Sequence, residues 1–220
     1  MDTLVLVTSI IDTPNIPLSY GKRSIFTTEQ RFEQTKNTIK SIKDKIPNAK
    51  IFVIECSIFN KEQELFFTEN SDYLLNLYYD LDIRNNIYSI SKSLCEGTMT
   101  INAFNYIIKN NIKFDNLIKI SGRYYLSENF NYNNFINDKI VIKYINRSIN
   151  NVFTGLYKLP YLYVLKFKQF LENNKNKMLN CIGYEVLFAE FICEINLDVI
   201  NFDTIGLAGY VSVGNDFYNG

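Results

Sequence analysis

The sequence predicts an α/β fold: a mixed, mostly parallel central sheet flanked by helices, in a single domain. Residues 4–11 form a continuous apolar run, which is typical of a strand buried on both faces. A helical pattern over residues 28–45 follows, and residues 50–54 form a second apolar run. Strand, long helix and strand in this order predict a right-handed βαβ unit. The length of 220 residues and the hydrophobic content of 47% are sufficient for one core.

The composition excludes several classes of site. Lys and Arg number 23, as do Asp and Glu, and this balance argues against nucleic-acid binding through bulk charge. The chain has no His, which excludes Ser-His-Asp and Cys-His catalysis and any His-ligated zinc. Acid–base chemistry must therefore come from Asp, Glu, Lys, Tyr or Cys. The cysteines show no Cys-x-x-Cys spacing, and we expect them to be reduced residues in or near the core.

The amino-terminal sequence and the hydropathy bear on location. The chain starts with an acid and a strand, so no secretory signal is visible, and no apolar run approaches the length that spans a bilayer. We expect a cytoplasmic protein without a membrane span, located in the host cytoplasm if a virus encodes it.

The first helix has a defined start and one apolar face. Thr27 and Thr28 offer a hydroxyl cap, and Glu29 supplies an early acid. Apolar side chains and one threonine recur at helical spacing and predict the buried stripe. The stripe comprises Phe32, Thr35, Ile39, Ile42 and Ile46.

Predicted helices and strands then alternate up to residue 110. We expect a short helix over residues 60–71, a third strand over 73–79, a loop over 89–97 and a helix over 98–110. Gly97 would then precede a helix amino terminus, where backbone N–H groups favour an anion, and Lys92 lies just upstream.

Basic and hydroxyl side chains are concentrated at residues 119–123, where a fourth apolar run ends. In an open α/β sheet, ligands bind outside the carboxyl ends of the strands. Gly122 would allow the backbone to approach a ligand, and Ser121 adds a hydroxyl. Lys119 and Arg123 offer positive charge, and Arg can hold a phosphate through two parallel hydrogen bonds. Solvated cations at a strand end are the structural alternative.

The remainder of the chain predicts a second, mixed half. We expect an edge strand over residues 139–146 and another over 151–159, with Gly155 at a close approach. Helices over residues 160–173 and 184–195 flank a turn, and short strands follow over 197–202 and 209–213. Residues 1–125 would bind a nucleotide over the first four strand ends, and residues 126–220 would bind an acceptor.

The order of these pieces resembles the GT-A glycosyltransferases, which use nucleotide sugars. More narrowly, the chain is similar to small glycosyltransferase-like proteins of large DNA viruses and of bacterial surface-polysaccharide loci. The resemblance spans nearly the whole chain. It is carried by residues 31–35 with Ile39 and Ile42, residues 91–93 with Glu96 and Gly97, residues 119–124, and residues 183–185.

This resemblance implies transfer of a sugar from a nucleotide-sugar donor to a glycan or glycoprotein acceptor. Thr8 and Ser9 would face the base and ribose, Glu55 would touch the nucleoside, and Lys92 with Gly97 would approach the diphosphate. Arg31 could contact the diphosphate or form a surface ion pair. The implied donor-binding residues are Thr8, Ser9, Arg31, Glu55, Lys92, Gly97, Lys119, Ser121, Gly122 and Arg123.

The chain departs from this family at the fourth strand, which usually ends in an Asp-x-Asp that holds Mn or Mg. Here the segment contains Lys119 and Arg123 instead. Basic side chains can stabilise a leaving diphosphate as a metal does. We therefore expect metal-independent or metal-optional transfer, with Lys92 joining these two cations and no required cofactor. The alternative is a Mn or Mg site at Asp80 and Asp82, a literal Asp-x-Asp.

Transfer with inversion needs a base for the acceptor hydroxyl. In the inverting GT-A enzymes that the chain resembles, this base is typically an Asp or Glu carboxylate at the start of a late helix, and Glu185 matches this position best. Glu190 is the second choice and Asp203 the third. A purely structural role at the helix start is the alternative for Glu185. Tyr124 and Tyr125 could stack on a sugar ring or belong to the core.

Two other functions compatible with the sequence are a nucleotide-sugar or sugar-binding module without catalysis, and a sugar nucleotidyltransferase. The second class carries a Gly-rich, basic loop after the first strand. Lys22 and Arg23 lie in that region, but Pro14, Pro17 and the lack of a Gly-rich run argue against it.

Overall fold

The computed structural model describes residues 1–146, 150–196, 198–211 and 216–220. The strands are β1 (Thr3–Thr8), β2 (Lys50–Glu55), β3 (Tyr73–Asn76), β4 (Asn116–Ser121), β5 (Tyr124–Leu126), β6 (Ile140–Ile142), β7 (Tyr144–Asn146), β8 (Asn151–Val152), β9 (Leu156–Pro160), β10 (Val199–Asn201), β11 (Leu207–Tyr210) and β12 (Phe217–Asn219). The helices are α1 (Thr28–Lys45), α2 (Lys61–Asn70), α3 (Leu81–Ile87), α4 (Lys92–Lys109), α5 (Tyr161–Asn173), α6 (Lys175–Leu179) and α7 (Tyr184–Glu194), with a 3₁₀ turn at Tyr132–Phe135.

The described residues form a central sheet of seven strands in the order β10-β6-β9-β4-β1-β2-β3. Strands β1 to β4 are parallel, β10 is parallel to β6, and β9 is antiparallel to both of its neighbours. Thr8 at the end of β1 lies opposite Ser121 at the end of β4. The mixed, mostly parallel α/β sheet predicted from the sequence is confirmed.

Helices cover both faces of this sheet. Alternate residues of β1, such as Leu6, pack with α4, α5 and α7, whereas Val5 and Val7 pack with α1, α2 and a smaller sheet. The small sheet has the order β12-β11-β5, and its inner face includes Tyr124, which is buried. No helix in the described ranges combines the length and apolar content that crossing a bilayer requires.

Helix α1 has the predicted boundaries and the predicted buried face. The Thr27 hydroxyl accepts a hydrogen bond from the Gln30 N–H, and the Gln30 side chain accepts one from the Thr27 N–H. This reciprocal capping satisfies two amide groups that a helix start leaves unpaired. The same local signals that are visible in the sequence therefore determine where the helix begins.

Helix α4 begins at Lys92 rather than at residue 98, so this prediction is wrong. The Ser91 hydroxyl caps the helix by accepting from the Leu94 N–H at 3.1 Å. Gly97 lies inside the helix against Met178, where an added Cβ would be 2.2 Å from the sulfur. The glycine thus permits close helix packing, and it does not form an anion site at a helix start.

The second half differs from the sequence prediction in its details. Strand β6 lies inside the sheet, because β10 occupies the edge beside it. The predicted strand over residues 151–159 is two strands, β8 and β9, and α6 begins in the predicted turn. Gly155 does lie at a close approach, since an added Cβ would be 2.5 Å from the Phe153 ring. Leu197 and Val213, which belong to predicted strands, lie outside the described residues.

The four cysteines are free, and Cys56 and Cys95 are buried. Cys193 is exposed, which corrects its expected place in or near the core. It lies on the last turn of α7, at a position that faces away from the apolar stripe.

Candidate active site

A pocket lies at the carboxyl ends of β1 and β4, as the parallel sheet predicts. Its walls come from these strand ends, the first turns of α1 and α4, and the loop before α1. Thr8, Ser9, Ser121 and Gly122 line it, and it has a volume of about 90 Å³. The pocket is open on one side, so a larger ligand would extend out of it along that side.

Basic side chains dominate the charge of the pocket lining. Arg23, Arg31, Lys92 and Arg123 all contribute to it, and Glu96 is the acidic residue among the described residues that line it. Because like charges in a partly enclosed site repel one another, this lining favours an anionic ligand.

Arg123 extends from the turn between β4 and β5. The preceding Gly122 N–H donates to the Thr8 carbonyl at 2.8 Å, and the Thr35 hydroxyl donates to the Gly122 carbonyl at 2.9 Å. An added Cβ on Gly122 would lie 3.0 Å from the Ser9 Cβ. Gly122 therefore lets β4 pack tightly against Ser9, and the pocket geometry depends on that contact.

Electrostatics link the two arginines of the pocket. Arg31 donates through Nε to the Ile10 carbonyl at 3.2 Å. Burial and the neighbouring Arg123 charge lower the pKa of Arg31 to about 10, and Glu55 only partly opposes this. Burial alone would lower the pKa of Arg123 as well, but Tyr124 and Glu96 raise it above its usual range. A bound anion would relieve the repulsion between these guanidinium groups.

Lys92 connects the pocket to α7. Its Nζ lies 2.7 Å from Glu185 Oε1 and 3.5 Å from Glu96 Oε1. Burial would lower the pKa of Lys92, but these two carboxylates reverse the effect and raise it. Glu185, in the first turn of α7 after Gly183, does not itself line the pocket, and its link to the pocket is the ion pair with Lys92.

Lys119 lies behind the pocket rather than around a ligand, which corrects its predicted contact with the diphosphate. Its position in β4 directs the side chain toward α4, and it is 1% exposed. Nζ donates to Ser121 Oγ at 3.0 Å and to the Thr154 carbonyl at 2.7 Å, and it lies 4.0 Å from Glu96 Oε2. Burial lowers the pKa of Lys119 to about 8, although Glu96 opposes this.

Glu55 is wholly buried and does not line the pocket, so the expected contact with the nucleoside is wrong. Its Oε1 accepts from the Ile11 N–H at 3.2 Å, the Cys56 N–H at 2.8 Å and the Ser57 hydroxyl at 2.7 Å. Burial raises the pKa of Glu55 despite these hydrogen bonds. Glu55 therefore holds the chain segment that follows β1.

The Asp80-Leu81-Asp82 segment lies outside the pocket. Asp80 caps α3 by accepting from the Ile83 N–H at 3.0 Å, and both acids are exposed. Within the described ranges, no three His, Cys, Asp or Glu side chains cluster as a metal site. The local geometry explains the first acid as a helix cap.

The other predicted acids and aromatics also have definite positions. Glu190 pairs with Lys177 at 2.8 Å on an exposed face of α7, and Asp203 is exposed. Tyr124 belongs to the core, whereas Tyr125 is half-buried on the outer face of the small sheet.

Sequence reasoning did not assign a site role to Glu96, and it considered Arg23 only for a nucleotidyltransferase. Glu96 lies one helical turn after Lys92, so a correct start for α4 would have indicated the pair. Arg23 is held by backbone carbonyls: Nε donates to Ile16 at 3.1 Å, and the guanidinium also donates to Ile87, Tyr88 and Ser89. No local signal in the sequence predicts that tether.

No family model and no curated protein matches the chain. Solved structures do match it. The CTP:phosphocholine cytidylyltransferase LicC of Streptococcus pneumoniae has a TM-score of 0.55 at 12% identity, over 97% of this chain and 95% of LicC. All of the matches described here have low sequence identity, so they bear on the fold alone.

Two further matches have other activities. A protein of Desulfovibrio desulfuricans G20, described as a nucleotide-diphospho-sugar transferase, has a TM-score of 0.51 at 9% identity, over 92% of this chain and 80% of its own. A glycosyltransferase involved in glycosylation of the major capsid of PBCV-1 has a TM-score of 0.50 at 9% identity, over 92% and 82%. The chain shares the fold of these transferases. The GT-A-like fold expected from the sequence is therefore confirmed.

Proposed function

We propose that the chain is a glycosyltransferase that moves a sugar from a nucleotide-sugar donor to a glycan or glycoprotein acceptor, with inversion and without an obligatory metal. The main observation that supports this proposal is that one pocket at the strand ends is lined by four basic side chains, Arg23, Arg31, Lys92 and Arg123. A diphosphate is the anion that such a lining suits, because arginine forks bind its oxygens in pairs.

The donor atoms around the pocket support catalysis without a metal. Mg and Mn prefer carboxylate, carbonyl and water oxygens as ligands. Glu96 lines the pocket, but Lys92 and Lys119 already lie 3.5 Å and 4.0 Å from its carboxylate. A divalent cation there would face the positive charges of Lys92, Lys119 and Arg123, which all act on Glu96. The arginines and Lys92 would instead stabilise the charge that develops on the leaving diphosphate.

Glu185 is the proposed base. It lies 2.7 Å from Lys92, so an acceptor hydroxyl at this carboxylate would be close to a group that also reaches the donor phosphates. A diphosphate that engages Lys92 would compete with this ion pair and leave a Glu185 oxygen available for the acceptor proton. The proposed location of this reaction is the cytoplasm.

Binding of nucleoside diphosphates and nucleotide sugars tests the donor site. Thermal unfolding is measured with each ligand in the presence of Mn, Mg or EDTA, for the wild type, Arg123→Ala and the control Arg84→Ala. We expect one nucleotide to raise the melting temperature in EDTA. The shift should disappear in Arg123→Ala and persist in the control, whose arginine stacks on Tyr78 outside the pocket. No shift with any nucleotide would overturn the proposal.

Turnover tests the base. In Glu185→Gln, we expect nucleotide binding to persist while kcat falls by about 10² to 10⁴, the usual contribution of a general base. The matched control is Glu190→Gln, on the same helix but paired with Lys177. Equal losses in both variants would contradict a specific role for Glu185. Binding without turnover in the wild type would instead support the non-catalytic sugar-binding module.

A nucleotidyltransferase is the second candidate, and two observations favour it. Arg23, in the loop after β1, lines the pocket, and the similarity to a cytidylyltransferase covers nearly the full length of both chains. Product analysis separates the candidates. Release of pyrophosphate from a nucleoside triphosphate and a sugar phosphate would support this second function, whereas release of a nucleoside diphosphate from a nucleotide sugar would support the first.

A further inference from the structure

The outer face of the small sheet carries a groove that the proposed donor site does not use. Paired residues of antiparallel strands direct their side chains to the same face. Tyr125 pairs with Ala208, Ala208 with Asn219, and Tyr210 with Phe217, so these five side chains share the outer face. The groove on this face has a volume of about 330 Å³.

Aromatic rings form a row along this face: Phe217 lines the groove, Tyr210 lies beside Phe217 just outside the groove, and Phe26 is half-buried. Tyr210 is 42% exposed and Phe217 is 50% exposed, although large aromatic side chains normally bury most of their surface. Their ring centroids are 5.1 Å apart, and Phe26 lies 6.0 Å from Tyr210 on the other side. Solvent-facing aromatic rows of this kind mark binding surfaces more often than isolated exposed residues do.

The other groove residues are mainly hydroxyls and amides. Ser127, Asn129 and Asn219 line it beside Tyr125 and Phe217. Glu128 also lines it, and this carboxylate is paired with Lys45 at 3.4 Å. The composition contrasts with the cationic pocket and suits a neutral ligand. Sugar rings fit it, because their C–H faces stack on aromatic rings while their hydroxyls bond to amides.

The aromatic row links the groove to the neighbourhood of the cationic pocket, because Tyr210 follows Gly209, which pairs with Tyr124 next to Arg123. Arg123 immediately precedes β5, and an added Cβ on Gly209 would lie 2.5 Å from the Arg123 carbonyl oxygen. Phe26 lies just before the cap of α1, the helix that carries Arg31. A chain of linked sugars on this groove could therefore reach the pocket with its terminal residue.

We infer that this outer face is a subsite for an oligosaccharide, which stacks on Tyr210 and Phe217 while its terminal sugar enters the cationic pocket. The inference rests on the proposed glycosyltransferase function and specifies the acceptor as an oligosaccharide rather than a monosaccharide.

Saccharide binding tests the inference directly. The wild type, Tyr210→Ala, Phe217→Ala and the control Tyr79→Ala are applied to an array of neutral oligosaccharides, and the hits are titrated by saturation-transfer NMR. Tyr79 is a matched control because it is 75% exposed and lies outside both sites. We expect about tenfold weaker binding in each groove variant and no change in the control. Far-ultraviolet circular dichroism verifies that all variants fold.

Three results would overturn the inference: no saccharide retained by the wild type, unchanged affinity in both groove variants, or a wild-type dimer that Phe217→Ala converts to a monomer. The last result, from sedimentation, would identify the face as a contact between two copies of the chain. The same samples are also titrated with nucleoside diphosphates. This titration distinguishes a failure of the saccharide subsite from a failure of the proposed glycosyltransferase function. Nucleotide binding without saccharide binding contradicts the groove alone, whereas saccharide binding without nucleotide binding contradicts the donor site alone.

Discussion

Lys119 illustrates how one side chain can support a pocket without lining it. The fold places its ammonium group between a backbone carbonyl, a serine hydroxyl and the Glu96 carboxylate, away from solvent. Burial of that charge lowers the pKa of Lys119 to about 8. From behind the pocket, it thus holds Ser121 and Glu96 of the pocket lining in position, and its charge has an energetic cost at neutral pH.

The free energy of unfolding of Lys119→Met, compared with that of the wild type at different pH values, should reveal this cost. Because the folded pKa of about 8 is below the unfolded value of about 10.4, the unfolded chain binds more protons between these values. The free energy of unfolding of the wild type therefore rises with pH in this window, by roughly 2–3 kcal/mol from pH 7 to pH 10. Lys119→Met lacks this rise, so its stability relative to the wild type should fall by that amount.

Urea unfolding of both proteins at pH 7 and pH 10 measures the stability of Lys119→Met relative to the wild type. The titration of groups that the two proteins share cancels in this comparison. Lys168→Met is the control, since that lysine forms a partly exposed pair with Glu172 within α5. A difference between Lys119→Met and the wild type that does not change with pH would contradict the buried, shifted lysine.

At the scale of single elements, α4 and α6 approach closely because Gly97 has no side chain. An alanine in a helix normally stabilises it by up to about 1 kcal/mol relative to glycine. In Gly97→Ala, the new methyl would lie 2.2 Å from the Met178 sulfur, so we expect destabilisation by about 1–3 kcal/mol. Thermal or urea unfolding measures whether the variant is less or more stable than the wild type. Lower stability indicates that close packing dominates, and higher stability indicates that helix propensity dominates.

A double-mutant cycle with Met178→Ala tests the cause. Removing the Met178 side chain should relieve the clash, so the two changes together should cost less than their sum, with a coupling of about 0.5–3 kcal/mol. Strict additivity would show that Gly97 and Met178 are not in contact.

The Asp80 cap is a second property of a single element. Loss of this cap in Asp80→Ala should destabilise α3 by about 1 kcal/mol, whereas Asp82→Ala, without a cap bond, should change stability less. Both variants should keep the nucleotide-dependent rise in melting temperature. Loss of that rise in both, with rescue by Mn, would support the alternative metal site at this pair.

At the scale of the whole molecule, the two predicted halves share one sheet. Strand β9 of the second half pairs with β4 of the first, and Phe167 of α5 packs against Phe104 of α4 at 6.3 Å between ring centroids. We therefore expect one cooperative urea transition for the full chain, with coincident curves from tyrosine fluorescence and circular dichroism.

A fragment of residues 1–125 should remain largely unfolded by circular dichroism, because it lacks β9 and the helices α5 and α7 that cover one face. Two separate transitions of the full chain, or a folded fragment, would show that the donor half is an independent domain.

Local patterns in the sequence determined the βαβ start, the boundaries of α1 and the start of α7 after Gly183. These features depend on hydrophobic period, capping residues and glycine position, which act over a few residues. The position of Arg123 at the pocket, just beyond the fourth strand, was also predictable, since parallel strands place their carboxyl ends together.

Only the tertiary structure decided which of those side chains meet. It directs Lys119 and Glu55 inward, brings Arg23 to the pocket through carbonyls of a distant loop, and pairs Lys92 with Glu185 across two helices. It also forms the aromatic groove from β5, β11 and β12. These contacts join residues far apart in the chain, and they depend on strand register, loop path and helix packing, which no local pattern encodes.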